Sequence, residues 1–142
     1  MRRARLTAAV SIFTLVLAAQ GALAEVVVVV SAKSPVTKLT SSQAADIFLG
    51  KTNRLPGGEP AMPIDQAEGS PEREEFYVRL VGKSRPQMKA HWSKIIFTGR
   101  GQPPKQASGN GELKKLLAEN PGAIGYVDRS AVDRDLRIVL SP

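Results

Sequence analysis

The residues best suited to chemistry stand at the predicted start of a helix, Gly69-Ser70-Pro71. Ser70 is a typical N-cap and Pro71 a typical first helical residue. A helix N-terminus presents unpaired backbone N–H groups at the positive end of its dipole, which suits an oxyanion such as phosphate or sulfate. Negative charge follows at once, from Glu72, Glu74 and Glu75. The residues by themselves therefore favour a plain, well-capped helix start over an anion site.

Other sequence patterns give only weak evidence for catalytic or metal-binding residues. The sequence has no cysteine and one histidine, His91, which is more typical of a solvated or half-buried helix residue than of a ligand or a base. Ser70 lacks the glycine two positions later that a nucleophile elbow needs. Asp65 and Glu68 could pair as carboxylates, but two acids near a turn are commonplace. We therefore predict no catalytic residues, no metal site and no cofactor.

Strands alternating with helices must position whatever site exists. Val26 to Val30 are five consecutive β-branched residues, which indicates a strand buried on both faces. Further strands are predicted over residues 61–65 and 123–127, and a half-exposed last strand over 136–140, with Leu136, Ile138 and Leu140 alternating. This order predicts the α/β fold class, as a single three-layer α/β/α lobe.

Four helices are predicted between the strands. A capping box at Thr40 to Gln43 starts the first, which stops at Gly50. The second runs from Ser70 to Gly82. The third begins near Pro86, and its core face follows the i, i+4, i+7, i+8 spacing of Met88, Trp92, Ile95 and Ile96. The fourth is capped by Asn110 and buries Leu113, Leu116 and Leu117.

Residues 1–24 are predicted to be a signal peptide and not part of the fold. Arg2, Arg3 and Arg5 precede an apolar stretch of 14 residues, Leu6 to Ala19, and cleavage is expected after Ala24. The stretch is shorter than the roughly 20 residues that a membrane-spanning helix needs. The sequence thus predicts a periplasmic protein whose one domain covers residues 25–142.

The charge of this domain is mildly positive. Without the three leader arginines, 17 of the 20 basic residues remain against 13 acidic ones, a net charge of +4. The basic residues form no run and are not interleaved with aromatic residues, so nucleic acid is not an expected partner.

Four segments in order resemble one lobe of the substrate-binding proteins of phosphate ABC transporters. They are residues 46–51 (DIFLGK), 69–76 (GSPEREEF), 92–104 (WSKIIFTGRGQPP) and 120–128 (NPGAIGYVD). The resemblance covers nearly the whole chain after the leader and implies one lobe of a type II periplasmic binding protein. It implies phosphate or another small solute as ligand and a membrane permease or receptor as partner.

The resemblance also assigns the candidate ligand-binding residues: Gln66, Gly69, Ser70 and Arg73. Gly69, Ser70 and Phe76 match the family pattern. Gln66 stands where the family has a phosphate-gripping arginine, and Pro71 removes one backbone N–H donor. Glu72 replaces a threonine, and Arg73 could offset its charge by folding back over the turn.

Three interpretations of function stay open at this stage. The first, which we adopt, is an exported solute-binding protein for an ABC transporter or sensor, with weak or partner-assisted binding because one lobe has no hinge to close. The second is a periplasmic interaction module that kept the fold and lost the ligand. The third is a polar or cationic solute held by Gln66, Ser70 and Glu72. A homodimer that supplies the second wall also stays open, although the first strand is expected to pair within its own chain.

Overall fold

The structure is a computed structural model that describes residues 25–141. It contains five strands and four helices, in the order β1 Val26–Ser31, α1 Ser41–Phe48, β2 Met62–Asp65, α2 Pro71–Phe76, α3 Arg85–Phe97, β3 Lys105–Gln106, α4 Asn110–Glu119, β4 Ala123–Asp128 and β5 Leu136–Leu140. A π-helical turn, Tyr77–Val81, continues α2, and a 3-10 turn, Arg129–Ala131, follows β4. The predicted signal peptide, residues 1–24, lies outside the described residues.

The strands form one mixed sheet in the order β3-β2-β4-β1-β5. β1 pairs antiparallel with both β4 and β5, as expected for a strand paired within its own chain. β2 pairs parallel with β3 and β4. All six residues of β1 are buried, which confirms the interpretation of the valine run as a strand covered on both sides.

Helices cover the two faces of the sheet differently. On one face, Val26, Val28 and Val30 of β1 pack with residues of α1, α2 and α3. We call this the aromatic face because its core includes Phe48, Phe76, Tyr77, Trp92 and Tyr126. On the other, which we call the aliphatic face, Val27 and Val29 pack with Leu113 and Leu117 of α4. The predicted three-layer arrangement is therefore confirmed.

The predicted helix signals act largely as expected. Thr40 and Gln43 form a complete capping box at the start of α1. Gly50 follows this helix with a φ of +72°, a backbone conformation that glycine adopts without strain. Gly82 ends the helical segment that begins with α2, with a φ of +73°.

One predicted helix cap is wrong. Gly109, not Asn110, is the N-cap of α4, and it makes no side-chain cap bond. The Asn110 side chain accepts a hydrogen bond from the Gln66 amide at 3.0 Å instead. Ser108 donates to the Glu112 carboxylate at this end of the helix. The first turn is therefore ordered by Ser108 and Glu112, and Asn110 joins α4 to the loop after β2.

Two predicted burial patterns also fail. Ile96 is 55% exposed although it follows the spacing of the core face of α3, whereas Met88 and Trp92 are buried. In β5 the alternation breaks, because the register with β1 shifts between Val28 and Val29. Val139 is consequently buried and Ile138 is only partly buried. The short strand β3 and the π-helical turn are not predicted by the sequence patterns.

Candidate functional site

The candidate site lies where β2 ends and its chain enters α2. Ile64 points to the aliphatic face and the next residue, Asp65, to the aromatic face, where it contacts Tyr77 and Tyr126. The loop of residues 66–70 then leads into α2. The carboxyl ends of neighbouring parallel strands, here β2 and β3, are the usual place for a ligand in an α/β sheet.

A buried carboxylate organises this end of the sheet. Asp65 is 1% exposed. The Tyr77 hydroxyl lies 2.7 Å and 2.9 Å from the two carboxylate oxygens, and the Tyr126 hydroxyl donates to Oδ1 at 2.9 Å. Nη2 of Arg73 lies 3.8 Å from Oδ2. One partly compensated negative charge is thus fixed beneath the start of α2 by two tyrosines and one arginine.

Burial dominates the ionisation of this cluster. It raises the pKa of the Asp65 carboxyl, and the opposing effects of Arg73 and the two hydroxyl groups are smaller. Burial, and next the Asp65 charge, raise the pKa of Tyr77 and of Tyr126 far above the ordinary tyrosine value. The two tyrosines are therefore neutral hydrogen-bond donors throughout the physiological pH range.

The four predicted ligand residues come together where the loop of residues 66–70 enters α2, and they have different structural roles. Gln66 is buried, and its side-chain amide donates to Asn110 and to the Tyr126 carbonyl. The Ser70 hydroxyl accepts from the Arg73 backbone N–H at 3.3 Å, as an N-cap does. Nη1 of Arg73 donates to the Gln66 carbonyl at 3.1 Å. Gly69 is exposed with a φ of +85°.

A cavity of about 540 Å³ opens beside this loop. Its wall is built by the start of α2, the π-helical turn, one side of α3 and the segment before β3. Gly69 and Arg73 line it; Gln66 and Ser70 do not. Other side chains that line the cavity include Tyr77, Val78, Lys83, Arg85, Met88, Lys89, Trp92 and Ile96.

Positive charge prevails on the cavity wall. Four cationic side chains line it, Arg73, Lys83, Arg85 and Lys89, against two carboxylates, Glu68 and Glu74. Arg85 forms an ion pair with Glu74. Within residues 25–141, Lys83 and Lys89 form no ion pair, so their charges are available to a ligand.

Sequence patterns missed the polar centre of this site. Asp65 is the last residue of a predicted strand, and no sequence pattern pairs it with Tyr126. The missing step was the pairing of β2 with β4, which brings the two side chains together. Parallel pairing of strands 60 residues apart leaves no local signal in the sequence. The cationic wall was missed because Lys83, Arg85 and Lys89 join Arg73 only in the folded lobe, around a cavity that no sequence pattern marks.

Residues 25–141 can also be inspected for a metal site, a histidine site and a membrane span. No group of three or more histidine, aspartate or glutamate side chains is placed to hold a metal ion there. His91 is half-buried, and its Nε2 lies 2.8 Å from the Leu49 carbonyl oxygen. In the same range no helix is both long and apolar enough to cross a membrane.

Comparison with known proteins identifies the fold. A phosphate-bound protein from Clostridium perfringens, assigned as a phosphate ABC transporter substrate-binding protein, matches 81% of this chain with a TM-score of 0.65 and 24% identity. An ABC-type phosphate transport receptor from Vibrio cholerae matches the same share with a TM-score of 0.64 and 20% identity. PstS from Borrelia burgdorferi matches the same share with a TM-score of 0.59 and 15% identity. No protein-family model and no curated protein sequence matches the chain.

The matched region is less than half of each of these structures. It covers 44% of the Clostridium protein, 45% of the Vibrio protein and 46% of the Borrelia protein. The resemblance to phosphate ABC transporter substrate-binding proteins that the sequence predicts is therefore confirmed for the fold, and the described residues have the fold of one lobe of such a protein.

Proposed function

We propose that this chain is an exported solute-binding protein that holds a small anion, phosphate or a similar oxyanion, at the carboxyl end of β2. Binding is weak or assisted by a second protein wall. The bound phosphate of the Clostridium protein, which shares this fold, supports the choice of anion.

The observation that carries the proposal is the cationic wall of the cavity beside Gly69. Arg73, Lys83 and Lys89 face a space that also borders the loop before α2. A guanidinium group offers several N–H donors in a fixed plane that matches an oxyanion, and Arg73 uses only part of this capacity on the Gln66 carbonyl and Asp65.

The four predicted residues have different roles in the proposed site. Gly69 and Arg73 contact the anion directly because they line the cavity. Gln66 acts through its carbonyl, which holds the Arg73 guanidinium, while its own amide anchors the loop to α4. Ser70 orders the first turn of α2 as its N-cap. Glu68 and Glu74 oppose a full anion charge and lower the affinity.

We expect the described lobe to bind weakly by itself. Two-lobed binding proteins close around a ligand by a hinge movement, which removes the ligand from water. The described lobe offers one wall, and its cavity is open to solvent at the exposed side chains of Val78 and Ile96. A membrane permease, a receptor or a second copy of the chain could supply the other wall.

Isothermal titration of sodium phosphate into the purified protein tests the proposal. We expect a dissociation constant in about the millimolar range, and sodium chloride should give no comparable heat. Arg73→Gln should weaken binding about tenfold or more, the worth of one charge-assisted hydrogen bond. Lys83→Gln is a second variant that leaves the buried cluster intact and should also weaken binding.

Arg79→Gln is the matched control. Arg79 lies in the same helical segment, is exposed and pairs with Glu75 outside this cavity. The proposal fails if phosphate gives no heat beyond chloride, or if Arg79→Gln weakens binding as much as both cavity variants do.

A further inference from the structure

The cavity is longer than an inorganic anion needs, and one side of α3 spans it. The lining residues of α3 recur every three or four positions from its first to its last turn: Arg85, Met88, Lys89, Trp92, Ser93 and Ile96. Arg85 and Ile96 are separated by eleven residues, which corresponds to about 16 Å along a helix axis. The cavity wall therefore extends over most of the length of α3.

The two ends of this wall differ in chemistry. Arg85 and Lys89 stand in the first two turns of α3, and Lys83 precedes the helix. A side chain at Gly69 would place its Cβ 3.7 Å from Nη2 of Arg85, so the loop before α2 lies at this same end. Towards the other end the wall is mainly apolar, with Trp92 and Ile96 and one small polar side chain, Ser93. The cavity is thus cationic at one end and apolar at the other.

The apolar part has no occupant within the described lobe. Val78 and Ile96 both line the cavity and are 58% and 55% exposed. Tyr77, Met88 and Trp92 form the floor beside them and are buried. An inorganic phosphate held at the cationic end would leave the exposed apolar side chains in water. Cavities of this volume usually hold ligands of several hundred daltons and enclose them with largely apolar walls.

We propose that the ligand is an organic anion, a phosphate or a similarly charged headgroup on an apolar body. The headgroup binds at Arg73, Lys83 and Lys89, and the body lies along α3 against Met88, Trp92 and Ile96. This inference rests on the proposed anion site and specifies what that site holds.

A homologous series of alkyl phosphates tests the inference, because only the length of the apolar body changes. Inorganic, methyl, butyl and hexyl phosphate are titrated into the purified protein by calorimetry. The intrinsic fluorescence of Trp92, the only tryptophan of the chain, is followed in parallel. A fully buried methylene strengthens binding roughly fourfold, so hexyl phosphate should bind at least about tenfold more tightly than methyl phosphate. Its binding should also change the Trp92 emission.

Two neighbouring residues provide a matched pair of variants. Ile96 lines the cavity, whereas Phe97 is 91% exposed and does not line it. Ile96→Ser should lower the affinity for hexyl phosphate about threefold or more and leave that for inorganic phosphate unchanged, since one apolar contact is lost. Phe97→Ser should change neither affinity. Both positions are exposed, so both variants should fold.

The possible outcomes separate this inference from the anion site itself. Equal affinities for inorganic and hexyl phosphate would overturn the organic-anion inference and leave the anion site standing. Hexanol binding as tightly as hexyl phosphate would show an apolar pocket without anion recognition and would overturn both proposals, as would a protein that binds no member of the series. Tighter binding with chain length, lost in Ile96→Ser and retained in Phe97→Ser, supports the inference.

Discussion

The two faces of the sheet are built from the same strands and differ in almost every other respect. The aliphatic face packs valine, leucine, isoleucine and alanine against one helix, α4, and its core is closed. The aromatic face stacks Phe76 on Tyr126 with ring centroids 4.0 Å apart, and it contains the buried Asp65. It also borders the cavity along α3. One face stabilises the fold, and the other combines stability with a candidate site.

This difference follows from the chemistry of aliphatic and tyrosine side chains. Aliphatic residues need only to be covered, so α4 can lie directly on the sheet. Tyrosine carries a hydroxyl that needs a partner when buried, and here Tyr77 and Tyr126 share the Asp65 carboxylate. Arg73 approaches that carboxylate from the first turn of α2. The polar cluster thereby fixes the side chain that the proposed anion site needs.

The largest expected effect is a difference in stability between a core variant of the aliphatic face and a variant beside the cavity of the aromatic face. Leu113 is fully buried on the aliphatic face, and Leu113→Ala should lower the free energy of unfolding by about 2–5 kcal/mol because a cavity is left in a closed core. Ile96→Ala on α3 should change it by less than about 0.5 kcal/mol since the side chain is already exposed. Chemical denaturation measures both values. Similar losses in the two variants would mean that the faces do not differ as described.

A smaller effect is expected from the charge pair on the aromatic face. Arg73→Gln should cost about 1.5–3 kcal/mol because Asp65 loses its nearest cation. If that cost arises from the buried carboxylate, Asp65→Asn should offset most of it in the double variant. Chemical denaturation of the wild type, the two single variants and the double variant gives the coupling energy. Additive losses would show that Arg73 and Asp65 act independently.

The sequence predicts the aliphatic face better than the aromatic face, because local patterns mark the first and long-range contacts build the second. The valine run, the helix caps at Thr40 and Ser70 and the leucines of α4 are local patterns. Patterns of this kind predicted every helix and every strand except β3, together with the buried face of α4. Asp65 and Tyr126 meet only after β2 pairs with β4, and the α3 cations join Arg73 around one cavity only in the folded lobe. Such long-range contacts leave no periodic signal, so the segment from Gly69 to Arg73 was predicted as a candidate site while its surroundings were not.

Alkaline titration tests the burial of the tyrosines. The chain has two tyrosines, Tyr77 and Tyr126, and both are buried beside Asp65. Their pKa values are raised in the folded state, so their contribution to stability is present below the ordinary tyrosine value of 10.0 and is lost as the pH rises above it. We expect tyrosinate absorbance and loss of circular dichroism to rise together in one transition. Ionisation of either tyrosine in a folded protein would contradict the described cluster.

The smallest effect concerns Asp65 itself. Because burial raises its folded pKa above the ordinary value of 3.8, ionisation costs stability at neutral pH, and this cost disappears as the pH falls through the raised value. The free energy of unfolding of the wild type, relative to that of Asp65→Asn, should therefore increase as the solution is acidified from neutral pH. A relative decrease over that range would mean that Arg73 and the two tyrosines outweigh burial and lower the pKa.

The most direct test of the central claim is to map phosphate binding by the shifts of backbone amide resonances in nitrogen-15 spectra of the purified protein. We expect saturable shifts confined to the cavity side of the aromatic face, around Gly69, Arg73, Lys83 and Lys89. Amides of α4 and of the aliphatic face, such as those of Leu113 and Leu117, should not move. Saturable shifts centred on α4, or no saturable shifts at all, would contradict the claim that the open side of the aromatic face is an anion site.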